Sequence, residues 1–333
     1  MRYRRLGRTG LRVSEISFGA WAIGGPFCFG SQPIGWGAVN DEDSIASLRT
    51  AFEHGVNFVD TADIYGLGHS EELVRKAMNG APQEISIATK GGFLPEPRGG
   101  SFQDFSREHL FEACEASLQR LGCEAIHLYQ LHCPPSEVLE REEVFEVLDE
   151  LKRQGKILHY GVSIERDTEA ITAMEYPGVE TVQIIFNMFR QKPARTVFPL
   201  AMKQGVGILA RVPLASGLLA GKFTPDTVFS EDDHRSSPIP GETFSGIGLA
   251  EGVEIVEKLR FLEFEGGPSL AQIALRWVLA FDAVSATIPG AKTPQQVKEN
   301  VATSGGEFLS DPDMDRIHSI YRRFVAPLVE EQW

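Results

Sequence analysis

The chain has 333 residues, 42% of them hydrophobic and 23% charged, and a formal net charge of −14. That length admits one large barrel or two ordinary domains, with enough apolar residues for a sizeable core. The acidic balance excludes a general nucleic-acid binder and a protein held on anionic lipid, while leaving room for a local basic pocket for phosphate. Cys28, Cys114, Cys123 and Cys133 show no metal-type pairing and, in a chain this long, do not suggest a disulfide scaffold; they read as reduced thiols. The basic N-terminus lacks the apolar core of a signal peptide, and no apolar run approaches the ~20 residues of a membrane span. A cytoplasmic location is expected.

In chain order, "YRRLGRTGLRVSEI" fits a short hairpin over residues 1–15, turned at "GRTG". Apolar, β-branched runs then predict strands at 16–21, 57–62, 85–90, 125–132, 159–164, 181–187, 207–214 and 284–290. Most are apolar without strict alternation, as parallel strands covered on both faces should be. Helical stripes separate them. Over 107–121, Leu110, Ala113, Cys114, Ser117, Leu118 and Leu121 share one face, with Ser106 able to cap the start and Gly122 the end. Over 41–54, Ile45, Leu48 and Phe52 face inward and Gly55 terminates. Pro268 suits the first turn of a helix carrying Leu270, Ile273, Ala274, Trp277 and Val278.

This alternation predicts an α/β fold, a single (β/α)₈ TIM barrel spanning 1–333, rather than a doubly wound open sheet. No G-x-G-x-x-G follows the first strand. Two irregular stretches, 22–40 and 223–250, fall on the strand-to-helix side and read as walls or lids of a pocket. The tail, 324–333, reads either as a cover over that pocket or as a subunit contact.

Asp60, Tyr65, Lys90 and His132 sit at or just past the ends of consecutive predicted strands. Parallel α/β folds place their chemistry there. A free tyrosine titrates near pH ~10, and a neighbouring ammonium favours its phenolate. Lys90 is expected to supply that ammonium, Asp60 to hold Lys90 charged and aimed, and His132 to orient a substrate oxygen. Tyr65 then acts as general acid or base at a carbonyl.

The motifs "DTADIYG", "ATKGG", "LYQLH", "GKILHYGVSI", "VPLASGLLAGKF" and "IPGAKTPQQVKEN" resemble the successive signatures of the aldo-keto reductases, in family order, from the N-terminus to about residue 302. The resemblance extends to the branch that includes ion-channel β-subunits. It implies a barrel that binds an extended nicotinamide cofactor without a Rossmann fingerprint, and a catalytic tetrad of Asp60, Tyr65, Lys90 and His132. It further implies that Ser163 and Gln183 meet the nicotinamide carboxamide, with Asn187 on the same strand end. Leu214, Gly217, Leu219 and Lys222 are implied to wrap the pyrophosphate. Gly290, Lys292, Gln296, Glu299 and Asn300 are implied to hold the adenosine end. A lysine beside a helix N-terminus suits a 2′-phosphate, so Lys292 favours NADPH, with NADH as the alternative.

Some positions depart from the family pattern. Ile164 stands where many members have Asn, and Gln296 where a more basic residue is common. Arg211 replaces a stacking aromatic; a guanidinium there can stack on a flat ring or pair with a phosphate. His127 replaces an acidic residue and is given no role. Trp21, Phe27, Trp36 and Phe93 are candidate pocket walls, with rim packing an equal reading for Phe27 and Phe93. The expected function is reversible reduction of aldehydes or ketones to alcohols. The expected partner is a small-molecule carbonyl or sugar, with no nucleic acid or membrane, and a homo-oligomer is left open. The alternative is a cofactor-binding regulatory subunit.

Overall fold

The computed structural model of the chain describes residues 1–239, 242–306 and 309–332. Pro240 and Gly241 of the second loop and Trp333 of the tail lie outside the described residues. Eight parallel strands form one sheet: β1 Phe18–Gly19, β2 Phe58–Asp60, β3 Ser86–Gly91, β4 Ile126–His132, β5 Ile157–Ile164, β6 Thr181–Ile185, β7 Gly207–Arg211 and β8 Val284–Thr287. Each predicted strand is present, and strands adjacent in sequence are adjacent in the sheet. The two ends meet. Parallel bridges pair Ile16 with Thr287 and Gly19 with Gly290, and the Ser17 and Gly19 amides donate to the Thr287 and Pro289 carbonyls at 2.9 and 3.1 Å. The sheet is therefore a closed barrel.

A principal helix follows each strand: α1 Asp41–Glu53, α2 His69–Met78, α3 Arg107–Leu121, α4 Glu142–Arg153, α5 Asp167–Ala173, α6 Phe198–Gln204, α7 Leu270–Leu279 and α8 Pro294–Val301. Local chemistry sets their ends. Ser106 Oγ accepts from the His109 amide at the start of α3, and Gly122, at φ 67°, closes it. The expectation for Pro268 fails. Ser269 is the N-cap of α7, bonded reciprocally with Gln272, so Pro268 lies before the helix rather than in its first turn. A serine three residues before a glutamine satisfies two orphan N–H groups, and that fixes the boundary. Trp277, Ile273, Ala274 and Val278 of this helix are buried against the sheet, as their stripe requires.

Inside the barrel, period-two alternation sorts residues by height. Phe58, Ala88, Leu128, Leu209 and Ala286 form an apolar layer with Leu6 and Val13 of the N-terminal hairpin, whose strands are Tyr3–Arg5 and Arg12–Ser14. The hairpin thus plugs one end. Two residues further along the same strands come Asp60, Lys90, Gln130 and Arg211, a polar layer near the other end. At that end the two irregular loops join: Trp36 bridges Asp233, the His234 amide donates to the Gly35 carbonyl at 2.9 Å, and Gln32 Nε2 donates to the Ser237 carbonyl at 2.6 Å. The tail docks on the connection from β6 to α6. Glu330 accepts from Tyr321 Oη at 2.7 Å and pairs with Arg195 at 2.7 Å, on the segment after β6. Among the described residues no helix is long and apolar enough to cross a membrane.

Gly7 tests the plug. It has φ 51°, and a Cβ there would lie 2.2 Å from the Gly207 amide nitrogen. Gly99 has a similar φ of 61° with nothing within 4 Å. Gly7→Ala is expected to destabilise the protein by about 2 kcal/mol or more, and Gly99→Ala by about 1 kcal/mol, in urea denaturation. Equal losses would mean that the hairpin does not press on the barrel floor.

Candidate active site

The Lys90 ammonium is the hub of the polar layer. It is fully buried and donates to Asp60 Oδ2 at 2.6 Å, to the Thr61 carbonyl at 2.8 Å and to Tyr65 Oη at 3.2 Å. Strands β2 and β3 bring Asp60 and Lys90 together, and the turn after β2 swings Tyr65 back over them. The second Asp60 oxygen is also held, by Gln183 Nε2 at 2.7 Å and Gln130 Nε2 at 3.1 Å. His132, from the end of β4, sets its ring edge-on to Tyr65 at 5.7 Å between centroids. The sequence-predicted four are thus one cluster.

Burial decides the protonation states. On its own it would push Lys90 down, but Asp60 and Tyr65 outweigh it and hold the ammonium above its ordinary value. Tyr65 behaves otherwise. Loss of hydration raises its phenol to about 12, and Lys90 only partly offsets this. The expectation that the ammonium lowers the phenol below its free value therefore fails in net sign, because a phenolate loses more on leaving water than one cation returns. His132 is pushed well below its ordinary value, by burial first and then by Lys90 and Arg211. At neutral pH the cluster holds a protonated phenol, an ammonium and a neutral imidazole. It can deliver a proton to an oxygen placed between Tyr65 and His132.

Aromatic rings surround that position. Trp21 stacks on Tyr65 at 6.0 Å, and Phe93 meets His132 edge-on at 4.8 Å. Trp36 lies 5.4 Å from Trp21. Phe27 is buried with Ala62 and Ile64 behind this wall. Arg235 lies over Trp36 at 4.8 Å and over Phe229 at 4.5 Å while paired with Asp233, which fastens the second loop to the first.

The residues implied for a cofactor surround the same mouth. Ser163 Oγ donates to Gln183 Oε1 at 3.4 Å, and Gln183's amide nitrogen is committed to Asp60. Asn187 ties the end of β7 to the second loop through the Val212 carbonyl and Ser245. Left-handed backbone clusters at Val212, Ala215, Ser216 and Gly217. Such strained runs turn successive amides toward one side, as an anion cradle requires, so the segment carrying Leu214, Gly217, Leu219 and Lys222 fits a pyrophosphate. Lys222 is exposed. Further out, Lys292 Nζ donates to the Trp36 carbonyl, and its amide donates to Gln296 Oε1 at 2.8 Å. Asn300 donates to the Gly290 carbonyl at 3.4 Å, and Gln295 Nε2 to Glu299 Oε1 at 2.9 Å.

Arg211, at the end of β7, has an anion of its own. It pairs with Glu242 at 2.5 Å and lies 3.9 Å from Cys133 Sγ. Glu242, His234 and Gln130 were absent from the sequence reading. Gln130 was within reach, because it lies two residues before His132 on one strand face. Glu242 and His234 sit in an irregular loop with no period to betray them. His127 is structural: its Nδ1 accepts from the Ile87 amide at 3.3 Å.

A closed parallel barrel with this proton-delivering cluster at the carboxyl ends of its strands defines a class of α/β-barrel enzymes. The comparisons narrow it. The aldo/keto reductase family pattern matches residues 15–322. The chain is 31% identical over 329 residues to "Aldo-keto reductase YhdN" of Bacillus subtilis (strain 168), covering 98% of this chain and 95% of that one. It is 31% identical over 315 residues to "Probable voltage-gated potassium channel subunit beta" of Arabidopsis thaliana, covering 90% of each. The solved glycerol dehydrogenase AKR11B4 from Gluconobacter oxydans superposes with TM-score 0.80 at 31% identity, covering 97% and 96%. The chain belongs to the aldo/keto reductase family, whose oxidoreductases use nicotinamide cofactors.

Breaking the buried pair from one side strands a charge. Asp60→Ala is expected to cost about 3–5 kcal/mol, and Asp60→Leu combined with Lys90→Met markedly less, in urea denaturation. Equal losses would mean that the pair is not what the interior must satisfy.

Proposed function

We propose that the chain is an NADPH-dependent reductase of aldehydes and ketones, reversible as an alcohol dehydrogenase, with Tyr65 as its general acid–base. The observation that carries this reading is Lys90 held on Asp60 and 3.2 Å from the Tyr65 hydroxyl. A bound nicotinamide supplies the hydride to the carbonyl carbon. The chain's own residues manage the oxygen. His132 and Tyr65 hold it, and Tyr65 donates its proton as negative charge develops there. Lys90 then stabilises the phenolate left behind, and Asp60 keeps Lys90 charged and aimed. A lysine held protonated in this way is no nucleophile, which disfavours Schiff-base chemistry.

Ser163 and Gln183 are assigned to the carboxamide. The segment with Leu214, Gly217, Leu219 and Lys222 is assigned to the pyrophosphate, and Gly290, Lys292, Gln296, Glu299 and Asn300 to the adenosine end. Lys292 is the group that favours a 2′-phosphate. Reaching it means giving up the Trp36 carbonyl, so cofactor choice is linked to the first loop. Similarity to the plant channel subunit supports a second reading, a cofactor-binding regulatory chain. Tight NADPH binding with no turnover of any carbonyl would favour it.

Tyr65→Phe is expected to lower kcat by about 10²–10⁴ while leaving NADPH affinity within a few-fold, measured by NADPH absorbance and fluorescence titration. Loss of both would contradict the role. Reduction needs the phenol protonated and the imidazole neutral. With Tyr65 raised to about 12 and His132 lowered, kcat/KM should stay flat from about pH 6 to about pH 9. An inflection at the ordinary imidazole value would show that His132 titrates normally. Lys292→Ala should narrow the NADPH-over-NADH preference by about three- to tenfold in paired KM measurements. An unchanged preference removes Lys292 from the phosphate site.

A further inference from the structure

Behind the tetrad, on the helix side of the barrel wall, lies a second set of titratable groups. Glu71 of α2, Tyr129 of β4 and Thr89, next to Lys90 on β3, are all fully buried. Glu71 is satisfied on both oxygens: Oε1 accepts from Thr89 Oγ1 and Oε2 from Arg120 Nε of α3, each at 2.6 Å. Two neighbours are not. Asp63 Oδ1 and Tyr129 Oη are buried without a hydrogen-bond partner. Asp63 stands in the turn between Asp60 and Tyr65, and its amide donates to the Lys90 carbonyl at 3.2 Å. Tyr129 meets the same strand one residue further on, since a Cβ at Gly91 would lie 2.0 Å from its hydroxyl oxygen.

The charged and titratable groups facing Asp63 are Glu71, Arg120, Lys90 and Tyr129. Both cations already have an anion, Asp60 for Lys90 and Glu71 for Arg120. Three carboxyls therefore share two cations. An ionised Asp63 would set a bare carboxylate oxygen beside another anion, which is the costliest way to bury a carboxyl. An un-ionised carboxyl both donates and accepts, and so does a phenol, so Asp63 and Tyr129 complement each other while each keeps its proton. Burial first and Glu71 second hold the Asp63 carboxyl well above the ordinary carboxylate range. Burial and then Asp63 likewise push the Tyr129 phenol up.

We propose that Asp63 is a positioning residue for Tyr65, acting as a neutral carboxylic acid beside Tyr129 and not as an anion. This rests on the oxidoreductase reading above and adds to it a residue that touches neither substrate nor cofactor. The turn from Thr61 to Tyr65 is held on its inner side by Lys90, whose Nζ donates to the Thr61 carbonyl and whose own carbonyl accepts from the Asp63 amide. The Asp63 carboxyl fixes the outer side. Tyr65 follows two residues later, so a shift of the turn carries its hydroxyl away from the 3.2 Å contact with Lys90. Neutrality matters as well. A charge on Asp63 would compete with Asp60 for Lys90 and weaken the hold of the ammonium on the phenolate that forms.

The test sets Asp63→Asn, which keeps the shape and both kinds of hydrogen-bonding group, against Asp63→Ala, which removes them. With the best substrate of an aldehyde panel, kcat should stay within about twofold in Asp63→Asn and fall by about tenfold or more in Asp63→Ala, with NADPH affinity within a few-fold in both. A loss in Asp63→Asn as deep as in Asp63→Ala would show that an anion is needed, and full kcat in Asp63→Ala would show that the turn needs no anchor. Either overturns the proposal. If Asp63→Ala does not fold, Tyr129→Phe should lower kcat by about threefold or more at unchanged NADPH affinity, and no loss there overturns it too. The proton is read directly by infrared difference between wild type and Asp63→Asn at pH ~7. The wild type should show the carbonyl band of an un-ionised carboxylic acid, and a carboxylate band in its place refutes the neutral form. Absence of turnover in the wild type would defeat the oxidoreductase reading separately, and the positioning is then read on Tyr65 itself. By tyrosinate absorbance against Tyr65→Phe, the Tyr65 step should come down toward about pH 10 in Asp63→Ala and stay above about pH 11 in wild type and Asp63→Asn. A step that Asp63→Ala leaves in place overturns the role.

Discussion

An ammonium with no access to water needs its counter-charge built into the fold, and that requirement on Lys90 organises the barrel mouth. Asp60 supplies the charge from the neighbouring strand at 2.6 Å. Its other oxygen would be costly if left bare, and amides from β4 and β6 reach across the interior to cover it. Four of the eight strands thereby converge on one carboxylate. A slip of one residue in any of them would turn a partner outward. The register that closes the sheet and the one that satisfies the charge are the same register.

The environment on either side then sets the chemistry. Below the polar layer is a dry floor of Phe58, Ala88, Leu128, Leu209 and Ala286, and above it the rings of Trp21, Trp36 and Phe93. Between them little water remains to solvate a phenolate or an imidazolium. That is why Tyr65 keeps its proton even with cations nearby, while burial and those same cations together keep His132 neutral. The joined loops matter for the same reason, because they hold Trp36 over the site and exclude solvent from it. Arg211 and Glu242 extend the logic: a second buried cation at the end of β7 carries its own anion, borrowed from a loop.

Strand order and the tetrad were legible in the sequence because both are local signals. Buried parallel strands are apolar runs, and Asp60, Lys90 and His132 stand out as polar residues where those runs end. Ser106 and Gly122 bounded α3 by capping chemistry alone. Pro268 misled because two helix-start signals stood side by side, and the serine forms the bonds. The net shift of Tyr65 was not legible, since a sequence displays a nearby lysine but not how much water the fold removes. Glu242 and His234 were invisible for a related reason. Each acts through a partner brought close only by the closed barrel, from a stretch with no repeat to read.

The hairpin at the N-terminus has a consequence for how the molecule comes to exist. Arg4 donates to the Leu279 and Val284 carbonyls, and its bond to Val284 spans 280 residues of sequence. The strand that follows the hairpin meets its second neighbour only when Thr287 arrives. During synthesis, the hairpin must therefore wait for a strand made some 280 residues later. Until then β1 has an open edge and Leu6 and Val13 have no complete floor to fill. A nascent chain of this topology carries the apolar residues of its hairpin exposed until that strand emerges, at the mercy of chaperones and of its neighbours on the polysome.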